Sequence, residues 1–335
     1  MLGVTAISPD YVRSRWLASD LVALTPTAIG APRWDGKPHR LEVWYSTFTD
    51  PATGEGYWLH YETVAPVEGD PYAHGWAAVF PPGGPARAER FGPLSVDPPD
   101  AGSPDWFRAG DAVVNPTSMV GRAGDMSWDL RYKDDAAPLF TFPKWSWERE
   151  VLPASQVVPF PTATIEGTFT VGDRSVELSG GRGNLARIYS HGNAERWAWL
   201  HADLGDGNVL EIVAGAPRRR GPVSLPIVPL VQLRLDGQDW PKQQLALSRR
   251  QRARVGLPDF SVTTRSGRRR LRAEVHVPPE CSVALGYTDP DGGTATCTNS
   301  ERAGAEIVLE RYDGGWRTER SWSLDTAHAE VGTRP

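Results

Sequence analysis

The chain has 335 residues, of which 40% are apolar and 23% are charged, a composition typical of a soluble globular protein that is long enough for two domains. The formal net charge of −5 argues against a general nucleic-acid-binding protein. No apolar run approaches the length of a membrane span, and the N-terminal residues lack the apolar core of a signal peptide. We therefore expect a cytoplasmic protein without a membrane span, either monomeric or homodimeric.

The N-terminal part of the chain predicts a short helix followed by an antiparallel meander. Ser8 and Pro9 are typical of a helix start and precede a helical stretch over Tyr11–Leu21. Alternating polar and apolar residues then predict strands over Leu41–Phe48, Tyr57–Val64 and Gly75–Phe80. Aromatic side chains occur on both faces of these strands.

The middle of the chain is rich in proline and glycine. Residues 81–105 read as a long surface loop, and strands are predicted over Met126–Tyr132 and Thr141–Trp147. The proline-rich passage 153–161 is interpreted as a linker, which divides the chain into domains 1–155 and 156–335.

The second half shows alternating patterns and no long helical period. Strands are predicted over Val176–Leu178, Trp197–Ala202, Val209–Val213, Val231–Leu235, Leu271–Val277, Ser282–Tyr287, Glu306–Arg311 and Trp316–Ser323. The predicted fold class is therefore all-β, with two antiparallel β-barrels or sandwiches packed side by side.

Tryptophan is unusually abundant, with 14 residues. Most of these indoles are assigned to the core. A subset shares strand faces with polar groups and suits a cavity for a long, flat, apolar ligand. The predicted substrate-binding residues are Trp44, Trp58, Trp76, Trp197, Trp199 and His201.

A polar group in the meander is a candidate for acid–base chemistry. Glu42, His60 and Glu62 each share a strand face with a tryptophan, and burial in an aromatic cavity would raise the pKa of a carboxylate toward general-acid use. In the alternative interpretation, His60 and Glu62 lie on a solvated face while Tyr57 and its apolar neighbours form the core.

The pairing of His201 depends on the register of one hairpin. Asp206 and Gly207 are typical of a two-residue turn, which would pair His201 with Ile212 and leave the imidazole isolated. A three-residue loop would instead place His201 opposite Glu211. The two-residue turn has the stronger sequence signal, so we predict the isolated histidine.

The remaining polar residues suggest no metal or cofactor. The seven histidines show no metal-ligand spacing, and no nucleotide-binding motif occurs in a suitable setting. Cys281 and Cys297 are predicted to be free thiols. Arginine clusters at 218–220, 249–254 and 265–272 are interpreted as solvated turns and strand faces.

Three stretches resemble the lipocalin-related family of carotenoid 1,2-hydratases, tocopherol cyclases and decalin-forming Diels–Alderases. Thr25-Pro26, Trp34-Asp35-Gly36 and Glu42-Val43-Trp44-Tyr45 are similar to a pattern of the tocopherol cyclases. Ser127-Trp128-Asp129-Leu130 resembles a hydratase element. The glycine-rich run that ends in Trp197-Ala198-Trp199, followed by Asp206-Gly207, resembles the second-domain signature. The resemblance implies two lipocalin-like, calycin-type barrels and a hydrophobic small-molecule substrate.

One departure from this family changes the functional prediction. Hydratase-like relatives carry an acidic residue and a tryptophan where this chain has Ala186 and Tyr189. A hydratase needs that acid to protonate an alkene. We therefore expect a cofactor-independent cyclase or isomerase, including a pericyclase, that acts on a polyene, isoprenoid or polyketide, with Glu42, His60, Glu62 and Tyr189 as candidate catalytic residues. A non-catalytic carrier and an acid–base hydratase are the alternatives.

Overall fold

A computed structural model describes residues 24–96, 103–149, 152–218, 225–242 and 251–335 of the chain. The helix predicted over residues 11–21 lies outside these ranges. Among the described residues, nearly all regular structure is antiparallel β-sheet, in two sheets of ten strands each. The predicted all-β fold class is confirmed.

The first sheet holds the strands from the N-terminal half of the chain. Its hydrogen-bonded order is β4-β3-β2-β1-β10-β9-β8-β7-β6-β5. The strands are β1 (Arg40–Thr49), β2 (Gly56–Ala65), β3 (Tyr72–Phe80), β4 (Arg87–Ser95), β5 (Phe107–Ala109), β6 (Ala112–Val114), β7 (Ser118–Ala123), β8 (Met126–Lys133), β9 (Ala154–Val171) and β10 (Arg174–Ser190). Two short helices, α1 (Pro26–Gly30) and α2 (Lys144–Arg149), pack against β9.

The second sheet holds the strands that follow. The strands are β11 (Arg196–Gly205), β12 (Asn208–Ala216), β13 (Val228–Leu235), β14 (Gln238–Trp240), β15 (Arg252–Arg254), β16 (Asp259–Ser266), β17 (Arg269–His276), β18 (Val283–Thr288), β19 (Thr294–Tyr312) and β20 (Trp316–Thr333). The order is β14-β13-β12-β11-β20-β19-β17-β16-β15, with β18 paired to β19, and a 3₁₀ turn spans Pro279–Cys281. The division at residues 155/156 stays a prediction. β9, which begins there, belongs to the first sheet.

Two sequence predictions in the first half are wrong. The strand predicted over 141–147 is replaced by α2, because Pro143 cannot donate to a sheet and its carbonyl accepts a bond from the Ser146 amide at 2.8 Å, which closes a turn. The loop predicted over 81–105 contains the edge strand β4. An edge position tolerates the glycine and proline of this segment, because one side of the strand needs no partner.

Each sheet curls around its own apolar core, and a third layer lies between the sheets. Trp44, Phe48 and Tyr61 belong to the core of the first sheet, whereas Leu200 and Leu233 belong to that of the second. Strand β2 is buried on both faces, because alternate residues point into the first core and into the layer between the sheets. We call this layer, which contains Tyr45, Trp58, Trp76, Trp197 and Trp199, the inter-sheet layer.

Candidate active site between the two sheets

A cavity of about 550 Å³ lies at one end of the inter-sheet layer. Its first wall comes from β1, the following turn and β10, and includes Phe48 and Arg182. Its second wall comes from β11, β19 and β20, and includes His201, Glu301 and His328. The volume falls in the range of small-molecule sites in proteins. Of the residues predicted for the site, His201 is the one that lines this cavity.

The β11–β12 hairpin places His201 against a carboxylate. The predicted turn forms, with φ of 53° at Asp206 and 73° at Gly207. A β-bulge between Asp203 and Gly205 then adds one residue to β11 and shifts the register. His201 is therefore paired with Glu211, and the prediction of an isolated histidine paired with Ile212 is wrong.

Glu211 is fully buried and accepts hydrogen bonds from three side chains. Its Oε1 lies 2.6 Å from Nδ1 of His201 and 3.2 Å from Nδ2 of Asn184, and its Oε2 lies 2.7 Å from Nε1 of Trp199. A carboxylate with three donors is an acceptor at each contact, so Nδ1 of His201 carries a proton. In the neutral imidazole, Nε2 is then a lone-pair acceptor.

A second histidine–glutamate pair lies beside the first. His328 is the cross-strand neighbour of His201 in the β11–β20 ladder, and its Nδ1 lies 2.5 Å from Oε1 of Glu301. Both side chains are buried. Burial raises the pKa of the Glu301 carboxyl well above its usual range and lowers that of His328. A charged Glu330 or a protonated His201 would shift these pKa values in the same directions.

The two pairs are chemically complementary. A protonated Glu301 donates to Nδ1 of His328, which leaves the proton of this neutral ring on Nε2. Both Nε2 atoms, of His201 and of His328, are buried, and neither has a hydrogen-bond partner among the residues that the structure describes. An unpaired buried polar nitrogen is costly, so each Nε2 calls for a partner such as a water molecule or a ligand. The cavity thus has one imidazole suited to accept a proton and one suited to donate a proton.

The predicted His60–Glu62 pair forms, but in another part of the inter-sheet layer. Nε2 of His60 lies 2.9 Å from Oε2 of Glu62, and Nε2 of His74 lies 3.6 Å from Oε1. Burial alone would raise the pKa of Glu62, but His74 and His60 lower it to about 2. Both Glu62 and His60 are buried, so the alternative of a solvated face is wrong, although Tyr57 does belong to the first core.

The predicted aromatic wall is present and densely packed. Trp58 and Trp76 stack with ring centroids 6.3 Å apart, and His60 and Tyr287 contact Trp76 at 5.2 and 4.9 Å. Trp199 contacts Tyr45 edge-on at 4.6 Å and His328 at 4.2 Å. These indole rings pack against one another and against their histidine and tyrosine neighbours.

Glu42 and Tyr189 lie on the opposite face of the first sheet from His60. Glu42 pairs with Thr63, so its side chain cannot join the His60–Glu62 pair as predicted. Its carboxylate forms an ion pair with Arg187 and accepts bonds from the amides of Arg33 at 2.7 Å and Trp34 at 3.2 Å.

Trp44 and Tyr189 surround this ion pair on the same face. Trp44 donates from Nε1 to the carbonyl of Gly30 at 2.8 Å, and its ring lies 5.1 Å from the Arg187 guanidinium. The hydroxyl of Tyr189 accepts a bond from Nε of Arg40 at 3.2 Å. The bond from Trp44 to Gly30 attaches α1 to the first sheet.

Trp197 contributes to a further carboxylate site in the inter-sheet layer. Its Nε1 donates to Oε1 of Glu330 at 3.0 Å. Burial raises the pKa of Glu330 to about 7, and the bonds from Trp197 and Cys297 oppose this shift. Both cysteines are free thiols, as predicted.

Sequence reasoning missed His328, Glu301 and Glu330. A signal was present in the last strand, where His328 and Glu330 alternate with the apolar Ala327, Ala329 and Val331. Polar residues at every second position of an otherwise apolar strand indicate a polar interior face. Glu301 carried no such signal, because it lies at an irregular part of the β19–β20 pairing.

The described ranges contain no cluster of three or more histidine, cysteine, aspartate or glutamate residues able to hold a metal ion. Those same ranges hold no helix that is long and apolar enough to cross a bilayer.

Comparison with solved structures shows the same fold at low sequence identity. An AttH-like protein (NE1406) of Nitrosomonas europaea matches 88% of this chain and 93% of its own, with a TM-score of 0.57 and 14% identity. Kievitone hydratase of Nectria haematococca matches 88% of both chains, with a TM-score of 0.55 and 11% identity. The fold is therefore lipocalin-like, as the sequence resemblance implied. These similarities do not confirm a specific family within the lipocalin-like group.

Comparison of sequences identifies nearer relatives. No known family profile matches the chain. The uncharacterized proteins Rv0493c and MT0513, from two strains of Mycobacterium tuberculosis, are each 48% identical to it over 304 residues, which cover 90% of this chain and 89% of theirs. This identity over nearly the whole length shows that the chain belongs to the same protein family as Rv0493c.

Proposed function

We propose that this protein is an acid–base enzyme of the hydratase or isomerase type, which works without a cofactor on a small organic substrate held in the inter-sheet cavity. The observation that carries the proposal is the pair of buried imidazoles, His201 and His328, which line one cavity and each leave Nε2 unpaired. The structural likeness to a protein described as kievitone hydratase supports this type of reaction.

In this proposal each group has a distinct role. His201, oriented by Glu211, accepts a proton from the substrate or from an attacking water. His328, oriented by Glu301, delivers a proton to the other end of the reacting bond. Removal of a proton from the carbon beside a double bond, with delivery of a proton to the far carbon of that double bond, moves the double bond by one position. With water as the nucleophile at one carbon of the double bond and a proton delivered to the other carbon, the double bond is hydrated. In this proposal, the His328–Glu301 pair supplies the proton that a hydratase needs.

The cavity lining indicates an amphipathic substrate. Leu324 supplies apolar surface, and Thr47, Thr326 and Arg182 supply polar groups. The long apolar polyene predicted from the tryptophan pattern would need the indoles as its binding surface, but these rings contact one another and their histidine and tyrosine neighbours. A shorter isoprenoid or polyketide with polar substituents fits this lining better.

The test measures proton transfer in heavy water. A panel of prenylated phenols and conjugated enones is incubated with the protein in D₂O, and mass spectrometry detects exchange of deuterium or gain of one D₂O. We expect His201→Gln and His328→Gln each to lower the rate by about 100-fold or more. The matched control is His276→Gln, because His276 is exposed and bonded to Asp259 on the outside of the second sheet.

A second measurement needs no substrate. Long-range ¹H–¹⁵N spectra report which imidazole nitrogen carries the proton, and we expect an unprotonated Nε2 in His201 and a protonated Nε2 in His328. Full activity in either glutamine variant contradicts the proposal. Compounds that bind and are recovered unchanged, without deuterium, indicate the carrier instead.

A further inference from the structure

The far ends of two hairpins in the second sheet form a strongly basic surface. Residues 265–272 and 310–320 contain eight arginines and three acidic residues, a local net charge of +5 in a chain whose total is −5. Arg269 pairs with Arg311, and Arg311 pairs with Arg317, so the two hairpin ends are adjacent. We call this surface the basic tip. Its arginines are Arg265, Arg268, Arg269, Arg270, Arg272, Arg311, Arg317 and Arg320.

Several charges of the basic tip are not neutralised within the protein. Arg268, Arg269 and Arg320 pair with Asp313, Glu319 and Asp236, and Arg270 and Arg272 share Glu310, at 2.6 and 3.2 Å. Arg265, Arg311 and Arg317 are exposed and form no ion pair within the described ranges. Like charges concentrated on one surface repel one another unless an anion lies among them, so the basic tip has the electrostatics of a docking site for an anionic partner.

Two aromatic rings lie among these arginines. The Trp316 ring lies 4.3 Å from the guanidinium of Arg270 and 5.0 Å from that of Arg265. Tyr312 contacts Trp316 edge-on at 5.4 Å and is 41% exposed. Tryptophan and tyrosine beside arginine are typical of the interface between a bilayer and water, where the rings lie at headgroup depth and the guanidiniums bind phosphate.

The basic tip lies on the side of the molecule to which the cavity extends. Strand β20 begins at the tip with Trp316 and continues to Leu324, Thr326 and His328, which line the cavity. The strand rises by about 3.3 Å per residue, so Trp316 lies roughly 26 Å outward from Leu324. A surface that binds the basic tip would therefore contact the N-terminal end of β20, with the cavity further along the same strand.

We infer that the basic tip binds the surface of an anionic phospholipid bilayer and makes the protein a peripheral membrane protein. Single-stranded nucleic acid is the other polyanion to consider, but its bases stack on free aromatic faces, and two guanidiniums already contact the Trp316 ring. The inference is independent of the proposed function, since it uses no residue of the cavity chemistry.

The test is co-flotation of the full-length protein with vesicles. At low salt we expect binding to vesicles of equal parts phosphatidylcholine and phosphatidylglycerol, and no binding to phosphatidylcholine alone. Binding should decrease at about 1 M salt, where the screening length is about 3 Å. The variant R265Q/R311Q/R317Q should bind about 100-fold more weakly, because each of the three surface arginines contributes about fivefold.

The matched control removes three exposed arginines from the first sheet and α2, in the variant R122Q/R131Q/R149Q. It changes the net charge by the same amount and should bind like the unmodified protein. The inference is overturned if the unmodified protein stays with neither vesicle, if the tip variant binds undiminished, or if the control loses as much binding as the tip variant. Salt-sensitive binding of a single-stranded oligonucleotide at the tip, without vesicle binding, also overturns it.

Discussion

At the scale of single residues, Glu42 shows how a carboxylate in a family-like motif can serve the fold. Its partner Arg187 is fully buried, and burial lowers the pKa of this guanidinium to about 10 although Glu42 opposes the shift. The carboxylate has donors from Arg33, Trp34 and Arg187. Both oxygens of the Glu42 carboxylate accept hydrogen bonds. The carboxylate therefore stabilises the attachment of α1 and is poorly placed to transfer a proton.

We predict that Glu42→Gln lowers the free energy of unfolding by about 3–5 kcal/mol, because it leaves Arg187 buried without an anion. Urea unfolding at neutral pH measures the change. The matched control is Glu55→Gln, whose partner Arg174 is half-exposed. That variant should lose about 1 kcal/mol or less. A Glu42→Gln protein that is as stable as the unmodified protein but has lost turnover would instead identify Glu42 as catalytic.

At the scale of elements, one bulge in β11 decides the chemistry of the site. The Asp206-Gly207 turn is the one that the sequence indicates, but the extra residue near Leu204 moves His201 from Ile212 to Glu211. Without this bulge, Glu211 would face the apolar core of the second sheet. A local irregularity therefore builds the first histidine–glutamate pair.

The close packing of β20 on β11 gives a test at the same scale. A Cβ at Gly332 would lie 2.0 Å from the Trp197 ring, so Gly332→Ala must displace this indole from Glu330. We predict a loss of about 1–3 kcal/mol in unfolding free energy, the usual cost of overpacking. Thermal unfolding measures it. Gly286→Ala on β18 is the control, since nothing lies within 4 Å of its Cβ position. Equal stability of both variants would show that the indole is loosely held.

At the scale of the whole molecule, the inter-sheet layer gathers ionisable groups that neither sheet would bury alone. Glu62, Glu211, Glu301 and the histidines beside them come from both sheets and are buried where the sheets meet. Each carboxylate is adjacent to a histidine at 2.5–2.9 Å. The stability of the folded protein is therefore coupled to protonation.

Glu330 makes this coupling measurable. Its pKa of about 7 in the folded protein exceeds its ordinary 4.5, so the folded protein binds this proton more tightly than the unfolded chain. The corresponding stability is present below pH 4.5 and is lost as the pH rises through 7, by about 1.4 kcal/mol per unit of pKa shift.

We predict that Glu330→Gln removes this loss, since the amide can still accept from Trp197. The unfolding free energy of the variant relative to the unmodified protein should rise by about 2–3 kcal/mol between pH 5 and pH 8. Urea titrations at both values measure it. The control is Glu274→Gln, on the exposed face of β17, which should leave the pH dependence of the unfolding free energy unchanged. If the unfolding free energy of Glu330→Gln depends on pH as strongly as that of the unmodified protein, Glu330 is not the group with the raised pKa.

Much of the fold follows from the sequence because strand patterning is local. The alternation in β1, β2, β3 and β11 predicts these strands closely, since side chains on successive residues point to opposite faces in any strand. The edge strand β4 and helix α2 were not predicted, because the proline and aromatic residues of these segments do not favour one type of secondary structure. Their form depends on the neighbours they pack against.

The sequence by itself determined the fold class, the free thiols and the presence of His60, Glu62 and His201 on aromatic strand faces. Tertiary structure decided which of those faces meet. It placed Glu42 and His60 on opposite sides of one sheet, and it brought His328 and Glu301, 100 or more residues away, beside His201. The physical reason is that a strand pattern fixes the direction of a side chain relative to its own backbone. Which side chains face one another across a cavity depends on strand register, on bulges and on the packing of the two sheets. All three depend on contacts between residues that are distant in sequence.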